Sequence, residues 1–163
     1  MILKSGNLII KRTRNGKGVF ANKNFVSGEK IIKIKGNKID VDIFVNLSHK
    51  VRSNSFRLDY DTYLHPKGEV GYFFNHSCNP NSKIKKIRAD LFLFSTKRIK
   101  NGSEIFFDYS TNTAEDDWWK MKCNCGEKSC RKIISKFNLL PKKLQDKYTK
   151  SKIVPEYILE IKD

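Results

Sequence analysis

Two short stretches decide the fold: residues 71–81 read GYFFNHSCNPN and residues 104–109 read EIFFDY. The first places a histidine and a cysteine between aromatic residues and an Asn-Pro-Asn turn. The second is an apolar run between charged residues, which is typical of a β-strand. Residues two apart in an extended segment lie on the same face, so Phe107 and Tyr109 should present their rings to one side.

Other short apolar runs bounded by Gly, Asn, Asp or Pro also indicate strands. They lie at residues 7–10, 18–21, 31–34, 55–60 and 90–94. Because almost no 3.6-residue period precedes residue 135, the pattern favours several small sheets over a helical bundle. One or two helical turns fit within residues 40–51. Residues 141–149 and 155–161 each begin with a proline suited to a first helical turn, which predicts a helical C-terminal extension.

Length and composition point to one folded domain. The chain has 163 residues, of which 39% are hydrophobic, enough to build a core. It carries 33 Lys and Arg against 17 Asp and Glu, a net charge of +16, and 26 of those cations are Lys. Phosphate recognition favours the planar Arg side chain, so this ratio weakens a nucleic-acid interpretation, and simple surface solvation is the competing one.

Hydropathy indicates where the protein is found. The sequence has no apolar run of the roughly 18 residues that a membrane span needs, and its beginning lacks the pattern of a secretory signal. We therefore expect a soluble, intracellular protein without a membrane partner. It would be cytoplasmic or, if it acts in a eukaryotic cell, nuclear.

The four cysteines have the spacing of a metal site. Cys123, Cys125 and Cys130 lie in one short loop that contains a glycine, and Cys78 lies 45 residues upstream of Cys123. Structural zinc takes four soft ligands in a tetrahedron, and disulfides are disfavoured in a reducing compartment. The sequence therefore predicts one structural zinc ion held by four thiolates, with unliganded buried thiols as the alternative.

At this point the sequence resembles the SET-domain protein-lysine methyltransferases. Four blocks match in the family's order: residues 15–19 (NGKGV), 75–81 (NHSCNPN), 104–109 (EIFFDY) and the post-SET cysteine loop 123–130 (CNCGEKSC). The resemblance spans about residues 4–133 and is strongest to small bacterial or viral members.

The resemblance implies a fold and a domain plan. We expect a mainly β SET-domain fold of several small curved sheets, with a C-terminal pseudoknot in which the chain passes under a preceding loop. The chain would divide into a SET domain at 4–112, a post-SET zinc-binding segment at 113–133 and a helical C-terminal extension at 134–163.

The resemblance also implies transfer of a methyl group from S-adenosylmethionine to a lysine side chain of a protein. A lysine amine is only about 0.1% neutral near pH 7.4, so the site must offset roughly 4 kcal/mol. An apolar channel beside a positively charged sulfur disfavours the ammonium form. Tyr109 would position the amine and the methyl group. Phe107 would line the channel and, lacking a hydroxyl, would allow di- or trimethylation.

The same resemblance assigns the cofactor site to residues spread along the chain. They are Gly16, Lys17, Gly18, Phe56, Tyr72, Asn75 and His76. Asn75 would bind through its side chain, whereas His76 would pair with adenine mainly through its backbone, so its imidazole is not expected to act as a base or a metal ligand. Phe56 and Tyr72 stand where relatives commonly carry Tyr and Arg, which removes polar contacts from the pocket.

Alternatives remain for the function and for single residues. The chain could instead be a basic zinc-containing module that binds nucleic acid or an acidic partner without catalysis. A methyltransferase could act on histones or on another intracellular protein, and nucleic acid is a possible but unnecessary partner. One of Trp118 and Trp119 could cover the cofactor or the lysine channel, or both could be packing residues. Four aspartates, Asp59, Asp61, Asp116 and Asp117, could form an acidic rim for a basic peptide or simply occupy exposed turns.

Overall fold

The computed structural model describes residues 3–117 and 119–162. The strands are β1 (Leu3–Ser5), β2 (Leu8–Thr13), β3 (Gly16–Ala21), β4 (Lys30–Ile34), β5 (Asn37–Asp40), β6 (Phe56–Arg57), β7 (Thr62–His65), β8 (Asn75–His76), β9 (Ser82–Ile87), β10 (Asp90–Ser95), β11 (Phe106–Phe107), β12 (Met121–Lys122) and β13 (Ile133–Ile134). The α-helices are α1 (Val41–Phe44), α2 (His49–Ser53), α3 (Lys142–Lys150) and α4 (Glu156–Glu160). Single 3-10 turns cover Val70–Phe73, Tyr109–Asn112 and Phe137–Leu139.

Within the described residues, the strands form five small sheets of two or three strands each. Three of them have the strand orders β1-β2-β3, β4-β10-β9 and β5-β7-β6, and the other two are the pairs β8-β11 and β12-β13. These small sheets and short helices confirm the mainly β fold predicted from the sequence.

A short parallel pair joins the two stretches quoted first. In β8 and β11, Asn75 lies opposite Phe106 and His76 lies opposite Phe107. The backbone N–H of Ser77 then donates to the carbonyl of Phe107 at 3.2 Å. Segments about 30 residues apart in sequence are thereby held side by side, and this contact positions the site described below.

The helical extension packs into the same hydrophobic core as the sheets. Its buried side chains Tyr148, Val154, Tyr157, Ile158 and Ile161 belong to one cluster with residues of the β-strands. Helices α3 and α4 lie close to the segments predicted from the two prolines. These residues are therefore an integral part of the packed structure.

Two predicted strands are shorter than expected. In 55–60 only Phe56–Arg57 is a strand, because the N–H groups of Leu58 and Asp59 both donate to the carbonyl of Thr62 in a tight turn. In 104–109 the strand is limited to Phe106–Phe107, and a 3-10 turn begins at Tyr109. Among the described residues, no helix has the length and apolar character needed to cross a bilayer.

Candidate active site

An aromatic cleft of about 390 Å³ lies beside the parallel pair. Its aromatic lining residues are Phe44, Phe56, Tyr63, Tyr72, Phe74, Phe107, Tyr109 and Trp119. Phe44 and Tyr63 stack with ring centroids 3.5 Å apart, and Phe56 and Phe107 stack at 5.5 Å. Phe56 and Phe107 are 5% and 4% exposed, so this wall of the cleft is apolar and presents little surface to solvent. A cationic amine that enters it loses hydration, which favours the neutral form.

Tyr109 is fixed in the cleft by both its backbone and its hydroxyl. Its O–H donates to the carbonyl of Phe74 at 2.7 Å, and its N–H donates to Nδ1 of His76 at 3.1 Å. Burial, followed by the charge of Glu104, raises the pKa of the phenol, so it stays neutral at physiological pH. With its proton directed at a carbonyl, the phenol oxygen can accept a hydrogen bond from a group in the cleft.

Phe107 lies next to Tyr109, as the spacing of two residues suggested. The two ring centroids are 4.8 Å apart, and both rings line the cleft. The backbone is not continuously extended here, since Tyr109 opens a 3-10 turn. The side chain of Asp108 caps that turn by accepting from the N–H of Ser110 at 3.1 Å.

The side chain of Asn75 connects its own segment to residues 16–18, which are also expected to bind the cofactor, and to the start of the 104–109 block. Its Nδ2 donates to the carbonyl of Lys17 at 3.0 Å and to Oε1 of Glu104 at 2.8 Å. Gly18 is buried at the same place, and a Cβ there would overlap the carboxylate of Glu104 and lie 2.9 Å from Asn75 Nδ2. Gly16 has φ +101°, which favours glycine.

The expected cofactor residues therefore fall into two groups. Phe56 and Tyr72 line the aromatic cleft, and Tyr72 makes edge contacts with His65 at 5.9 Å and with Phe73 at 5.4 Å. The others, Gly16, Lys17, Gly18, Asn75 and His76, are not among the described residues that line it. Sequence reasoning gave no role to Glu104, whose only signal was its place at the start of the EIFFDY block.

Three cysteine thiols and the imidazole of His76 meet beside the parallel pair. Ligand atoms of His76, Cys78, Cys123 and Cys125 lie within 4.8 Å of one another, and the sulfurs of Cys78 and Cys123 are 3.8 Å apart. Four thiolates at about 2.3 Å from zinc in a tetrahedron would have sulfurs about 3.8 Å apart. The donor chemistry and this spacing fit zinc.

The fourth ligand could be His76 or Cys130. Nδ1 of His76 accepts from Tyr109 N–H, and burial lowers the pKa of the ring to about 4, so the neutral ring carries its proton on Nε2. That nitrogen lies 3.3 Å from the sulfur of Cys78. An N–H at this position donates to the sulfur and cannot ligate a metal. Cys130 is not among the residues whose ligand atoms lie within 4.8 Å of one another, but it packs against Cys78 and Cys123, with its sulfur 3.9 Å from the carbonyl of Cys123, and it is the candidate for the fourth ligand.

Comparison with known protein families identifies the family to which these segments belong. The SET domain family model matches residues 16–110, more than half of the chain. The chain belongs to the SET-domain family. The match covers Gly16, the NHSC block and Tyr109, which are the segments brought together above.

Relatives of this SET domain are named as histone-lysine methyltransferases. The chain is 30% identical over 135 residues to human histone-lysine N-methyltransferase 2B, covering 74% of this chain and 5% of that protein. It is 28% identical over 138 residues to ASHH3 of Arabidopsis thaliana (77% and 37%), and 28% identical over 134 residues to an H3 lysine-36 specific enzyme of Yarrowia lipolytica (75% and 17%). The chain thus spans well under half the length of these relatives.

A buried carboxylate connects Tyr109 of this SET domain to the cysteine loop and to the C-terminal helices. Asp108 is 1% exposed. Its Oδ1 accepts from Arg131 at 2.7 Å, and its Oδ2 accepts from the hydroxyl of Tyr148 in α3 at 3.0 Å. Sequence reasoning missed Arg131 and Tyr148, because contacts over 23 and 40 residues leave no local pattern.

The acidic residues near the cleft are mostly paired with neighbours in the chain. Asp116 forms an ion pair with Arg57 at 2.9 Å, and Asp117 accepts from Tyr63 O–H and from the N–H of Ala114. Burial raises the pKa of Asp117, with these hydrogen bonds opposing the shift. Asp59 forms an ion pair with Lys86. Three of the four aspartates expected to form an acidic rim are therefore already compensated.

Trp119 closes one side of the cleft. Its indole N–H donates to the hydroxyl of Ser53 in α2 at 2.8 Å, and its ring centroid lies 6.3 Å from that of Tyr109. It therefore links the segment before the cysteine loop to α2. Trp118, the other tryptophan considered from the sequence, lies outside the described residues.

Proposed function

We propose that the chain transfers methyl groups from S-adenosylmethionine to the side-chain amine of a lysine in a protein substrate. The observation that carries the proposal is the phenol of Tyr109, whose proton is directed to the carbonyl of Phe74 while its ring lines the cleft beside the buried rings of Phe56 and Phe107. An amine that enters this cleft meets a neutral hydrogen-bond acceptor at its end.

The aromatic walls support the deprotonation that methyl transfer requires. Phe56, Phe107 and Tyr109 surround the amine with apolar surface, which disfavours the ammonium form. The neutral phenol oxygen of Tyr109 can hold an amine N–H and so direct the nitrogen lone pair. Alignment of this kind supplies much of the rate enhancement in group-transfer reactions.

The methyl donor would be held by Asn75, Gly18 and the backbone of residues 16–18. S-adenosylmethionine supplies an electrophilic methyl group on a positively charged sulfur. The carboxylate of Glu104, beside Asn75 and close enough to Tyr109 to affect its pKa, provides a negative charge on that side of the phenol. A side chain at Gly18 would collide with Glu104 and Asn75, so glycine at this position lets both groups keep their places beside residues 16–18.

Zinc would stabilise the segment that carries Trp119. With four thiolates as ligands there is no open coordination position, so the metal would be structural and not catalytic. It would fix the 123–130 loop against Cys78 and, through the adjoining residues, hold Trp119 at the cleft. The fit of the thiol spacing described above supports this role.

Phe107 supports formation of di- or trimethyllysine. Its ring offers no hydroxyl to hold a water molecule beside Tyr109, so the space next to the amine stays available for methyl groups. The relatives are named for histones, which makes histone tails the first substrates to test and other intracellular proteins the second. If the chain acts on histones in a eukaryotic cell, it would work in the nucleus.

The test is methyl transfer from labelled S-adenosylmethionine to a panel of histones and lysate proteins. Tyr109→Phe keeps the ring and removes only the hydroxyl, and we expect it to lower turnover about 100-fold or more. Label on lysine that depends on Tyr109 would support the proposal. Absence of label from every lysine, the chain's own included, or full activity of Tyr109→Phe, would overturn it.

A further inference from the structure

The outer face of the β4-β10-β9 sheet combines aromatic rings with lysines. Side chains directly opposite each other in the register share a face. Phe92 lies between Lys33 and Lys85, and Phe94 lies between Lys30 and Lys83. We name these six residues the outer sheet face: Lys30, Lys33, Lys83, Lys85, Phe92 and Phe94. The residues that alternate with them on β10, Leu91 and Leu93, are fully buried in the core.

We propose that the outer sheet face binds single-stranded nucleic acid. Its charge is the first argument. Four lysines surround the two rings, and the acid on the same face of β10, Asp90, is engaged by Lys33 at 2.7 Å. Burial, followed by the positive charges of Lys85 and Lys152, lowers the pKa of Lys83, as expected where cations crowd together. A phosphate backbone would relieve this repulsion.

The two rings are the second argument. Phe92 and Phe94 lie on the opposite face of β10 from Leu91 and Leu93, which are buried in the core. Their rings are only half-buried and therefore keep part of their surface exposed to solvent. Cations cover both rings: the ammonium of Lys30 lies 5.5 Å from the centroid of Phe92, and that of Lys85 lies 5.7 Å from the centroid of Phe94. The ammonium group of each lysine can move away from the ring to bind a phosphate. A base can then stack on the exposed ring.

The combination selects unpaired bases over other polyanions. Phe92 and Phe94 are two residues apart on one strand, so they offer adjacent stacking positions. Stacking on aromatic side chains needs an exposed base face, which a duplex keeps inside its base stack. An acidic peptide could satisfy the lysines but would gain no stacking. The low Arg content, which weakens a nucleic-acid interpretation of the whole chain, counts for less on this face, because Lys neutralises phosphate as a point charge and the bases would be bound by stacking.

The outer sheet face is separate from the aromatic cleft. None of its six residues is among the described residues that line the cleft. Nucleic-acid binding at this face and methyl transfer in the cleft can therefore be tested independently. A negative result for one proposal does not contradict the other.

The binding test uses fluorescence anisotropy with labelled 20-nucleotide dT and rU strands, a 20-base-pair duplex and poly-glutamate. We expect both single strands to bind more tightly than the duplex and poly-glutamate, and the DNA and RNA arms show which strand is preferred. Equal or tighter binding of the duplex or of poly-glutamate would overturn the proposal, since the rings would then contribute nothing.

Two sets of variants separate stacking from charge. Phe92→Leu with Phe94→Leu keeps the charge and should weaken single-strand binding about tenfold or more without changing its salt dependence. Changing Lys30, Lys83 and Lys85 to Gln should lower the slope of log affinity against log salt by about 2, at roughly 0.7 per lysine for single strands. This triple variant leaves the Lys33–Asp90 ion pair intact.

A charge-matched control excludes a general effect of net charge. Lys38, Lys67 and Lys143 are exposed lysines outside the β4-β10-β9 sheet, and changing them to Gln removes the same charge. An equal loss of affinity in this control, or wild-type affinity in the double Phe variant with a native circular dichroism spectrum, would refute the proposal. Methyl transfer to a peptide should be unchanged in all three variants.

Discussion

Removing the hydroxyl of Tyr148 should impair a site that this residue does not touch. Tyr148 donates to Oδ2 of Asp108 at 3.0 Å, and Asp108 is adjacent to Tyr109 in the chain. Tyr148→Phe keeps the ring in the core and leaves one oxygen of a buried carboxylate without this donor. A hydrogen bond to a charged group contributes about 1.5–3 kcal/mol, so the free energy of unfolding should fall by that amount. For a chain of this length the melting temperature should drop by about 3–12 °C.

Tyr157→Phe is the matched control for this prediction. Its hydroxyl also comes from the C-terminal extension and is buried, but it donates to the neutral carbonyl of Arg57 at 2.7 Å. That carbonyl keeps a second donor, Asn112 Nδ2 at 3.0 Å, so the loss should be about 1 kcal/mol or less. Urea unfolding and steady-state kinetics measure both variants.

The kinetic result decides whether Asp108 positions Tyr109 or merely stabilises the fold. If it positions Tyr109, Tyr148→Phe should lower kcat about tenfold with little change in peptide KM, at a temperature where the variant is fully folded. Tyr157→Phe should retain its kcat. Equal losses of stability and of kcat in the two variants would refute the reasoning.

Three further predictions concern the cofactor, the product and the metal. Gly18→Ala should weaken S-adenosylmethionine binding, measured by calorimetry, because its Cβ would overlap the carboxylate of Glu104; unchanged affinity would contradict the placement of the cofactor. Phe107→Tyr should shift the product toward monomethyllysine in mass spectrometry, and strict monomethylation by the wild type would contradict the reading of this residue. Cys130→Ser should abolish stoichiometric zinc in metal analysis, whereas His76→Gln should keep zinc and weaken its affinity about 10- to 100-fold. Loss of zinc in the His76 variant alone would reverse the choice of fourth ligand.

The sequence predicts the strands whose apolar pattern is clear and misses those whose pattern is mixed. The run at 90–94 became β10 almost unchanged. Strand β9, Ser82–Ile87, was missed because three of its six residues are lysines, and only its pairing with β10 explains why it is extended. The run at 55–60 alternates polar residues with apolar or aromatic ones, which is typical of a strand, yet it is shortened by hydrogen bonds to Thr62.

The candidate site also has a part that the sequence predicted and a part that it did not. Cysteine spacing and the resemblance pointed to residues that the structure does bring together, such as Cys78 with Cys123 and Phe107 with Tyr109. The resemblance gave the imidazole of His76 no part as a base or a metal ligand, and it gave no sign that the ring would bridge Tyr109 N–H and a cysteine sulfur. Contacts of this kind depend on side-chain geometry, which sequence spacing does not contain.

Tyr148 and Tyr157 complete a core that is otherwise built largely by the β-strands, and this affects the order in which the chain can fold during synthesis. A ribosome delivers the chain from its N-terminus, so these two side chains are synthesised after the strands whose core they complete. Until then Asp108 lacks its α3 donor, and the apolar surface that the last helices cover is open to water. The SET domain therefore cannot complete its core, or the contact that holds Asp108, until α3 and α4 have emerged from the ribosome.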